Sequence, residues 1–381
     1  MKKKIIAVFG TRPEAIKMAP VVNELKKRKN LSLKIVVTAQ HRKMLDQVLE
    51  LFKIKPDYDL NIMIESQTLH SITSKCIEGL KKILLKEKPD LVLVHGDTTT
   101  TMASSLASFY CKIPVGHVEA GLRSFDPYNP FPEELNRKLT DSVSLYHFAP
   151  TEGNCTNLIN EGFSRKSIYI TGNTVIDTLL ETAKKDIQPS LKALRKLDLL
   201  KKIILITAHR RENLGKPLKD ICMGLKKLSK TYKDVLFVYP VHLNPKVKKT
   251  VKAILSEQKN IILIPPVSYS DMVWLMGKCY FCFTDSGGIQ EEAPSLGKPV
   301  LVLRKVTERP EAVKAGTVKV IGTETKDIYA WGSKLLEDKR LYKKFSKSVN
   351  PYGDGKASKR IADIIEYIYG FKTAGFREWK I

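Results

Sequence analysis

The stretch Ile5-Ile-Ala-Val-Phe9-Gly10-Thr-Arg-Pro-Glu-Ala-Ile-Lys17-Met-Ala-Pro20 is a short apolar run, a glycine, and then a segment led in by a proline. An unbroken apolar run of this length suits a strand covered on both faces, as in a parallel sheet. Gly10 allows the turn, and Pro13 suits the first turn of a helix. The same alternation continues through the chain. In the first half, strands are expected at Ile5–Phe9, Lys34–Thr38, Leu91–His95, Val115–Glu119 and Tyr146–Ala149, with a further one at Ile168–Ile170. In the second half they are expected at Ile203–Thr207, Leu236–Tyr239, Ile261–Ile264, Tyr280–Thr284, Val300–Leu303 and Val318–Ile321. Strands alternating with longer amphipathic stretches imply parallel sheets with crossover helices. The fold class is therefore α/β, with two Rossmann-like domains. They are expected at residues 1–172 and 173–356, with the seam around Gly172 to Pro189. A last helix from about 357 to 369, and the aromatic, basic tail to 381, are expected to return to the first domain.

Bulk properties agree with this reading. At 381 residues the chain is too long for one ordinary core. No apolar run reaches the ~18–20 residues of a membrane span, and Met1-Lys-Lys-Lys is followed by too short an apolar run for a signal peptide. A cytoplasmic protein with no membrane partner is expected. The formal net charge of +25 is carried mainly by lysines spread along expected helices, such as Lys26, Lys81 and Lys226. Such charge admits nucleic acid, but equally an anionic nucleotide or a solvated surface. Without an arginine-rich tail or zinc-finger spacing, nucleic acid is not expected. Cys279 and Cys282 are the only closely spaced cysteines, and no second pair lies nearby to complete a zinc site. They read as buried free thiols. No helical His-Glu-x-x-His is present, and no metal is expected.

The chemistry lies just past the expected strands. Neither a Gly-x-Gly-x-x-Gly after the first strand nor a Gly-x-x-x-x-Gly-Lys-Ser/Thr is present, so nicotinamide and P-loop mechanisms lack their usual signatures. Gly10 to Lys17 puts backbone N–H groups, Arg12 and Lys17 at the carboxyl end of a strand, where open α/β sheets bind ligands. It reads equally as a capping turn with two solvated cations. Thr284-Asp-Ser-Gly-Gly-Ile-Gln-Glu-Glu292 follows an apolar strand and opens a helix. Gly287 and Gly288 let a diphosphate approach the backbone, Ser286 adds a hydroxyl, and Glu292 is suited to ribose hydroxyls. A plain connection with Ser286 as N-cap is the alternative, though a double glycine exceeds what a cap needs. Carboxylates at strand ends, Asp97 and Glu119, and Glu133 at the start of a helix whose first residue is expected to be Pro132, are poorly explained by packing. Pairing with Arg123 or Arg137 would account for one of them more easily than for all three. His209 and His242 each follow a strand, and His209 is flanked by Arg210 and Arg211, which suggests an anion site.

The ordered series of motifs resembles the non-hydrolysing UDP-N-acetylglucosamine 2-epimerase family over nearly the whole chain. It runs Gly-Thr-Arg-Pro-Glu at 10–14, Gln-His-Arg-Lys-Met-Leu-Asp-Gln at 40–47, His-Gly-Asp-Thr-Thr-Thr at 95–100 and His-Val-Glu-Ala-Gly-Leu-Arg at 117–123. Pro-Glu-Glu-Leu-Asn-Arg at 132–137, Thr-Gly-Asn-Thr-Val-Ile-Asp at 171–177 and His-Arg-Arg-Glu-Asn at 209–213 continue it. Asp-Ser-Gly-Gly-Ile-Gln-Glu-Glu at 285–292 and Thr-Glu-Arg-Pro-Glu at 307–311 complete it.

The resemblance implies a glycosyltransferase-B-like pair of domains facing across a cleft, assembled as a homodimer and using no cofactor. It implies C2 epimerisation of UDP-N-acetylglucosamine and UDP-N-acetylmannosamine, by elimination and re-addition of UDP through a 2-acetamidoglucal. Asp97, Glu119 and Glu133 carry over as the catalytic carboxylates, with Arg137 and His209 assisting departure of the phosphate. Arg12, Lys17, Ser286, Gly287, Gly288 and Arg309 carry over to the diphosphate, Glu292 to the ribose, and the segment from Pro265 to Met272 to the uracil. An activating UDP-N-acetylglucosamine site is implied at Gln40, Gln67, Glu133, Arg210 and His242. The chain departs from many bacterial relatives there, with Lys43 and Ser66 in place of Gln and Arg. A hydrolysing relative that releases N-acetylmannosamine and UDP is the nearest alternative. A glycosyltransferase on the same scaffold, or a sensor without catalysis, is more remote.

Overall fold

The computed structural model describes residues 1–40, 42–63, 67–185, 187–373 and 376–380. They fall into two compact units: Met1–Thr178 with Tyr352–Lys380, and Leu179–Pro351.

The first unit holds seven parallel strands: β1 (Lys3–Phe9), β2 (Leu31–Val37), β3 (Tyr58–Asp59), β4 (Leu91–His95), β5 (Val115–Val118), β6 (Tyr146–Ala149) and β7 (Ile168–Ile170). Their order is β3-β2-β1-β4-β5-β6-β7. Two-residue β3 was not expected, because Tyr58-Asp59 has no apolar run. It pairs in register with Val36 and Val37, and the Tyr58 ring packs against the core of this unit. The strands are apolar in succession because helices cover them. Ile6, Val8, Val92 and Val94 share a core with Ile72, Cys76 and Leu80 of the helix Leu69–Glu87. Each fully buried aliphatic side chain of this kind stabilises by ~1.5–3 kcal/mol.

The last helix, Ala357–Ile368, joins this unit through charge as well as packing. Arg28 donates to Asp363 (2.7 Å) and Glu366 (3.1 Å). The Asp177 carboxylate accepts from the backbone of Ala357 (3.1 Å) and Ser358 (2.8 Å), which satisfies N–H groups of the first helical turn. The tail adds a backbone bond from Trp379 to Ile170 (2.8 Å).

The second unit holds six parallel strands: β8 (Ile203–Thr207), β9 (Leu236–Pro240), β10 (Ile261–Ile264), β11 (Phe281–Thr284), β12 (Val300–Val302) and β13 (Val318–Val320). Their order is β10-β9-β8-β11-β12-β13. Ile204, Ile206, Phe237, Phe281, Phe283 and Leu301 form its core with Leu218, Leu225 and Leu228 of the helix Lys216–Thr231. Cys279 and Cys282 lie buried here as free thiols, with Sγ atoms 3.5 Å apart.

Each sheet has one point where the chain reverses its direction of travel across the strands, between β1 and β4 in the first unit and β8 and β11 in the second. At such a point consecutive connections leave to opposite faces, so a crevice opens at the carboxyl ends of the two strands. Gly10 and Asp97 follow one pair of strands, and His209 and Asp285 follow the other. Among the described residues, no helix is long and apolar enough to cross a membrane, and no group of His, Cys, Asp and Glu forms a metal cluster.

Candidate active site

The turn after β1 is built by a capping box, in which Thr11 caps the helix Arg12–Lys26 and the Glu14 side chain reaches back. Glu14 accepts from the backbone N–H groups of Thr11 (2.7 Å) and Gly10 (3.1 Å). Its other oxygen accepts from the hydroxyls of Thr98 (2.8 Å) and Thr101 (2.9 Å), at the start of the helix that follows β4. Burial raises the Glu14 carboxyl above its usual range, against the hydrogen bonds that lower it. Glu14 therefore ties together the two loops of the first switch point, a role the motif reading missed. The spacing Thr11-x-x-Glu14 was the signal for it. The same box puts Arg12 at the first position of its helix and Lys17 one turn further in.

Glu119 follows β5 with φ of +69°, a left-handed conformation uncommon for a residue with a side chain. Such a backbone persists where its surroundings over-determine it, and here they do. Lys17 Nζ lies 2.6 and 2.7 Å from the two Glu119 oxygens, Asn173 Nδ2 donates at 3.1 Å, and His95 Nε2 stands 3.1 Å away. His95 is only 3% exposed. Burial, helped by the Lys17 charge and opposed by Glu119, pushes its ring down to about 3, so it is neutral near pH 7. His95 and Asn173 stand inside motifs already quoted but were assigned no role, because nothing in their spacing reveals a shared partner.

Asp97 follows β4 and is held by a fork: Arg137 Nε and Nη2 both donate to its Oδ2, at 3.0 and 2.7 Å. Arg137 Nη1 also donates to buried Glu134 (2.9 Å), which accepts from the backbone of Ser124 and Phe125. Glu133 opens the helix Glu133–Val143. Pro132 stands at the N-cap, one place before the first helical position expected for it. Glu133 Oε2 is buried and has no hydrogen-bond partner among the described residues. Asp97 and Glu133 line a cavity of about 920 Å³ together with Thr11, Gln40, Arg42 and Asn136. Gln67 Nε2 donates to the Gln40 carbonyl at 3.1 Å. Ser66 lies outside the described residues, as do His41 and the side chain of Lys43.

In the second unit, β11 leads into the six-residue helix Gly287–Glu292, with Ser286 at its N-cap position. The Ser286 hydroxyl makes no capping bond, so capping does not account for the serine. Gly287 packs under Arg309: a β-carbon there would stand 2.9 Å from the guanidinium carbon. At Gly288 the nearest atom to a β-carbon would be Glu292 Oε2, at 3.6 Å. Arg309 pairs with Glu291 and Glu308, each at 2.9 Å. Glu292 accepts from the Tyr269 hydroxyl (2.8 Å) at the start of the helix Tyr269–Lys278, which carries Met272. The rings of His209 and His242 stack 5.2 Å apart and 7° from parallel. Burial lowers the His209 ring, Asp285 opposes that, and His242 and Arg210 add to it. Asp285, passed over in the sequence, is wholly buried behind His209.

Within the first unit Asp97, Glu133 and Gln40 line one cavity, Arg137 holds Asp97, and Lys17 holds Glu119 close to the backbone of Gly96, next to Asp97. Within the second the fold gathers His209, Arg210, His242, Ser286, Gly287, Gly288, Glu292 and Arg309 around one switch point and the helix behind it.

Comparison with known proteins follows the same line. The family model described as UDP-N-acetylglucosamine 2-epimerase matches residues 23–366. The UDP-N-acetylglucosamine 2-epimerase of Escherichia coli K12 is 54% identical over 371 residues, covering 95% of this chain and 98% of its own. The crystal structure of the Neisseria meningitidis UDP-GlcNAc 2-epimerase bound to UDP-GlcNAc superposes with a TM-score of 0.88 at 52% identity, covering 96% of this chain and all of its own. An S. aureus MnaA–UDP co-structure gives 0.89 at 51%, covering 99% and 100%. The two Rossmann-like units are those of the glycosyltransferase-B-like fold. With the family model and these relatives spanning nearly its full length, the chain belongs to the UDP-N-acetylglucosamine 2-epimerase family.

Proposed function

We propose that the protein interconverts UDP-N-acetylglucosamine and UDP-N-acetylmannosamine by inverting C2, without net hydrolysis. The observation that carries this reading is the ordered carboxylate set of the first unit. Asp97 is clamped by Arg137, Glu119 is clamped by Lys17, and Glu133 keeps one buried oxygen without a hydrogen-bond partner among the described residues. Reversible proton transfer at carbon needs acid/base groups fixed on two faces of a sugar ring.

The C2–H of a sugar nucleotide is not acidic while the anomeric bond is intact. As the C1–O bond breaks, its electron pair leaves with UDP and C1 becomes oxocarbenium-like. A carboxylate takes the C2 proton, and the C–H pair closes the C1–C2 double bond of 2-acetamidoglucal. Protonation from the opposite face and return of UDP to C1 complete the inversion. Nothing is consumed.

In this reading the second unit holds UDP. The backbone at Gly287 and Gly288, the Ser286 hydroxyl and Arg309 take the diphosphate, with Arg12 and Lys17 contributing positive charge from the first unit. Glu292 takes the ribose, and the segment ending at Met272 the uracil. Preorganised donors at a leaving diphosphate supply much of the barrier reduction in such reactions. The cation facing Glu119 also favours its ionised form, as a base requires.

The test is incubation of UDP-N-acetylglucosamine with enzyme in deuterated water. Deuterium at C2 of both epimers, with UDP-sugar conserved, is expected. Stoichiometric release of UDP and N-acetylmannosamine would mean the hydrolysing reaction instead. A homodimer, and activation by a second UDP-N-acetylglucosamine, belong to the same reading. Sigmoidal kinetics toward UDP-N-acetylmannosamine, made hyperbolic by trace UDP-N-acetylglucosamine, are expected.

A further inference from the structure

Asp285 uses its two oxygens differently. Oδ2 accepts three hydrogen bonds, from the backbone of His209 (2.7 Å) and Arg210 (2.8 Å) and from Asn213 Nδ2 (2.9 Å). These fix the loop after β8. Oδ1 is buried and makes no hydrogen bond among the described residues, although it stands 3.5 Å from His209 Nδ1. Anchoring the loop requires only the first oxygen. The second is a buried acceptor aimed at an imidazole nitrogen, within a small side-chain rotation of bonding distance, and buried acceptors are seldom left without a donor.

His209 is constrained on its face as well. The ring of His242, itself exposed, lies parallel against one face of His209 and favours that ring orientation. The charged and titratable groups facing it are Asp285 from the loop after β11, His242 from the loop after β9, and Arg210 beside it. Of these, Asp285 alone favours a proton on the ring.

We infer that Asp285 is a positioning residue for His209: it holds an N–H on Nδ1 and supplies the counter-charge that lets the ring carry a second proton on Nε2, directed at the departing diphosphate. A carboxylate behind a histidine orients the ring and stabilises its imidazolium form in many unrelated sites. Here the proton on Nε2 hydrogen-bonds the diphosphate oxygen as it gains the electron pair of the C1–O bond. The proton stays on the histidine, so nothing is consumed when UDP returns. Burial, His242 and Arg210 oppose that charge and together outweigh Asp285 in the free protein, so the negative charge of the diphosphate must join that of the carboxylate to hold the second proton.

The inference rests on the role given to His209 in the proposed function, and the experiment separates the two. Asp285→Asn, His209→Asn and the double variant are assayed for epimerisation, and ¹⁵N-histidine spectra are recorded with UDP bound. Asp285→Asn is expected to lower kcat about a hundredfold, within the usual range for a proton-bearing group, while KM changes less than tenfold. The His209 ring should change from doubly to singly protonated, and Asp285→Asn should cost almost nothing further in the His209→Asn background. An unchanged His209 ring in Asp285→Asn, or an equal loss in both backgrounds, would overturn the positioning role and leave Asp285 a loop anchor. Full activity in His209→Asn would overturn the role of His209 itself. If Asp285→Asn does not fold, the native protein still decides, since a His209 ring that remains singly protonated with UDP at pH 7 overturns the inference.

Discussion

The ammonium of Lys17 stands 2.6 and 2.7 Å from the two carboxylate oxygens of Glu119, across 102 residues of sequence. Both side chains are mostly buried, at 18% and 9% exposure. A carboxylate so held is fixed in direction, which suits the part proposed for it as proton acceptor at carbon.

Glu119→Gln keeps the shape but loses the charge and the proton-accepting oxygen. Epimerisation should fall by about 10²–10⁴-fold, and deuterium exchange at C2 with it, while UDP still binds. Exchange at the native rate would remove Glu119 from the chemistry.

Arg137 joins Asp97 to Glu134, so Arg137→Met strips a cation from two carboxylates at once. Glu134 keeps its two backbone donors, and Asp97 is 30% exposed, so the cost should lie near the low end for a broken buried pair, ~3 kcal/mol. Urea denaturation measures this. Arg137→Lys should recover part of the stability but little of the rate, because an ammonium cannot fork across both acids. Recovery of full rate by lysine would show that charge alone suffices.

The two glycines of the loop at 287–288 should separate by substitution. Gly287→Ala pushes on the Arg309 guanidinium and should lower stability as well as UDP affinity. Gly288→Ala meets no atom closer than 3.6 Å, so the melting temperature should hardly move. If a diphosphate approaches the backbone there, UDP affinity should still fall at least tenfold in calorimetry. Native affinity in Gly288→Ala would place the diphosphate elsewhere.

His95 offers a pH test. Its folded value of about 3 lies below the usual ~6.5 of an unfolded chain. Between those values the unfolded chain binds a proton at this position that the folded protein refuses. This group's contribution therefore destabilises the fold as pH falls from about 6.5 to 3, and vanishes above that window. Subtracting the stability curve of His95→Gln from that of the wild type isolates the effect. The difference should slope across the window, and a flat difference would show that the folded ring titrates normally.

Much of the architecture was legible in the chain. Apolar runs such as Leu91–Val94 and Ile203–Ile206 mark strands covered on both faces, and a run of that kind can lie only inside a parallel sheet or a buried helix. Their shortness, and the longer amphipathic stretches between them, favoured strands over helix. Tyr58-Asp59 escaped because two residues are too few to show a periodicity, and the strand is set by pairing with Val36 and Val37 and by packing of Tyr58 on a core drawn from distant segments. The loops carrying Asp97, Glu119, His209 and Gly287 were legible for the same reason: each stands directly after a strand.

What the sequence by itself determined was which residues sit at the carboxyl ends of strands, because hydrophobic periodicity and turn chemistry act over a few neighbours. It did not determine who partners whom there. Strand order brings Lys17 to Glu119, Arg137 to Asp97 and Asp285 to His209, over separations of 102, 40 and 76 residues. Those pairings depend on how crossover helices route the chain across each sheet, and on the cost of burying a charge without its counterpart. Only the tertiary structure decided them.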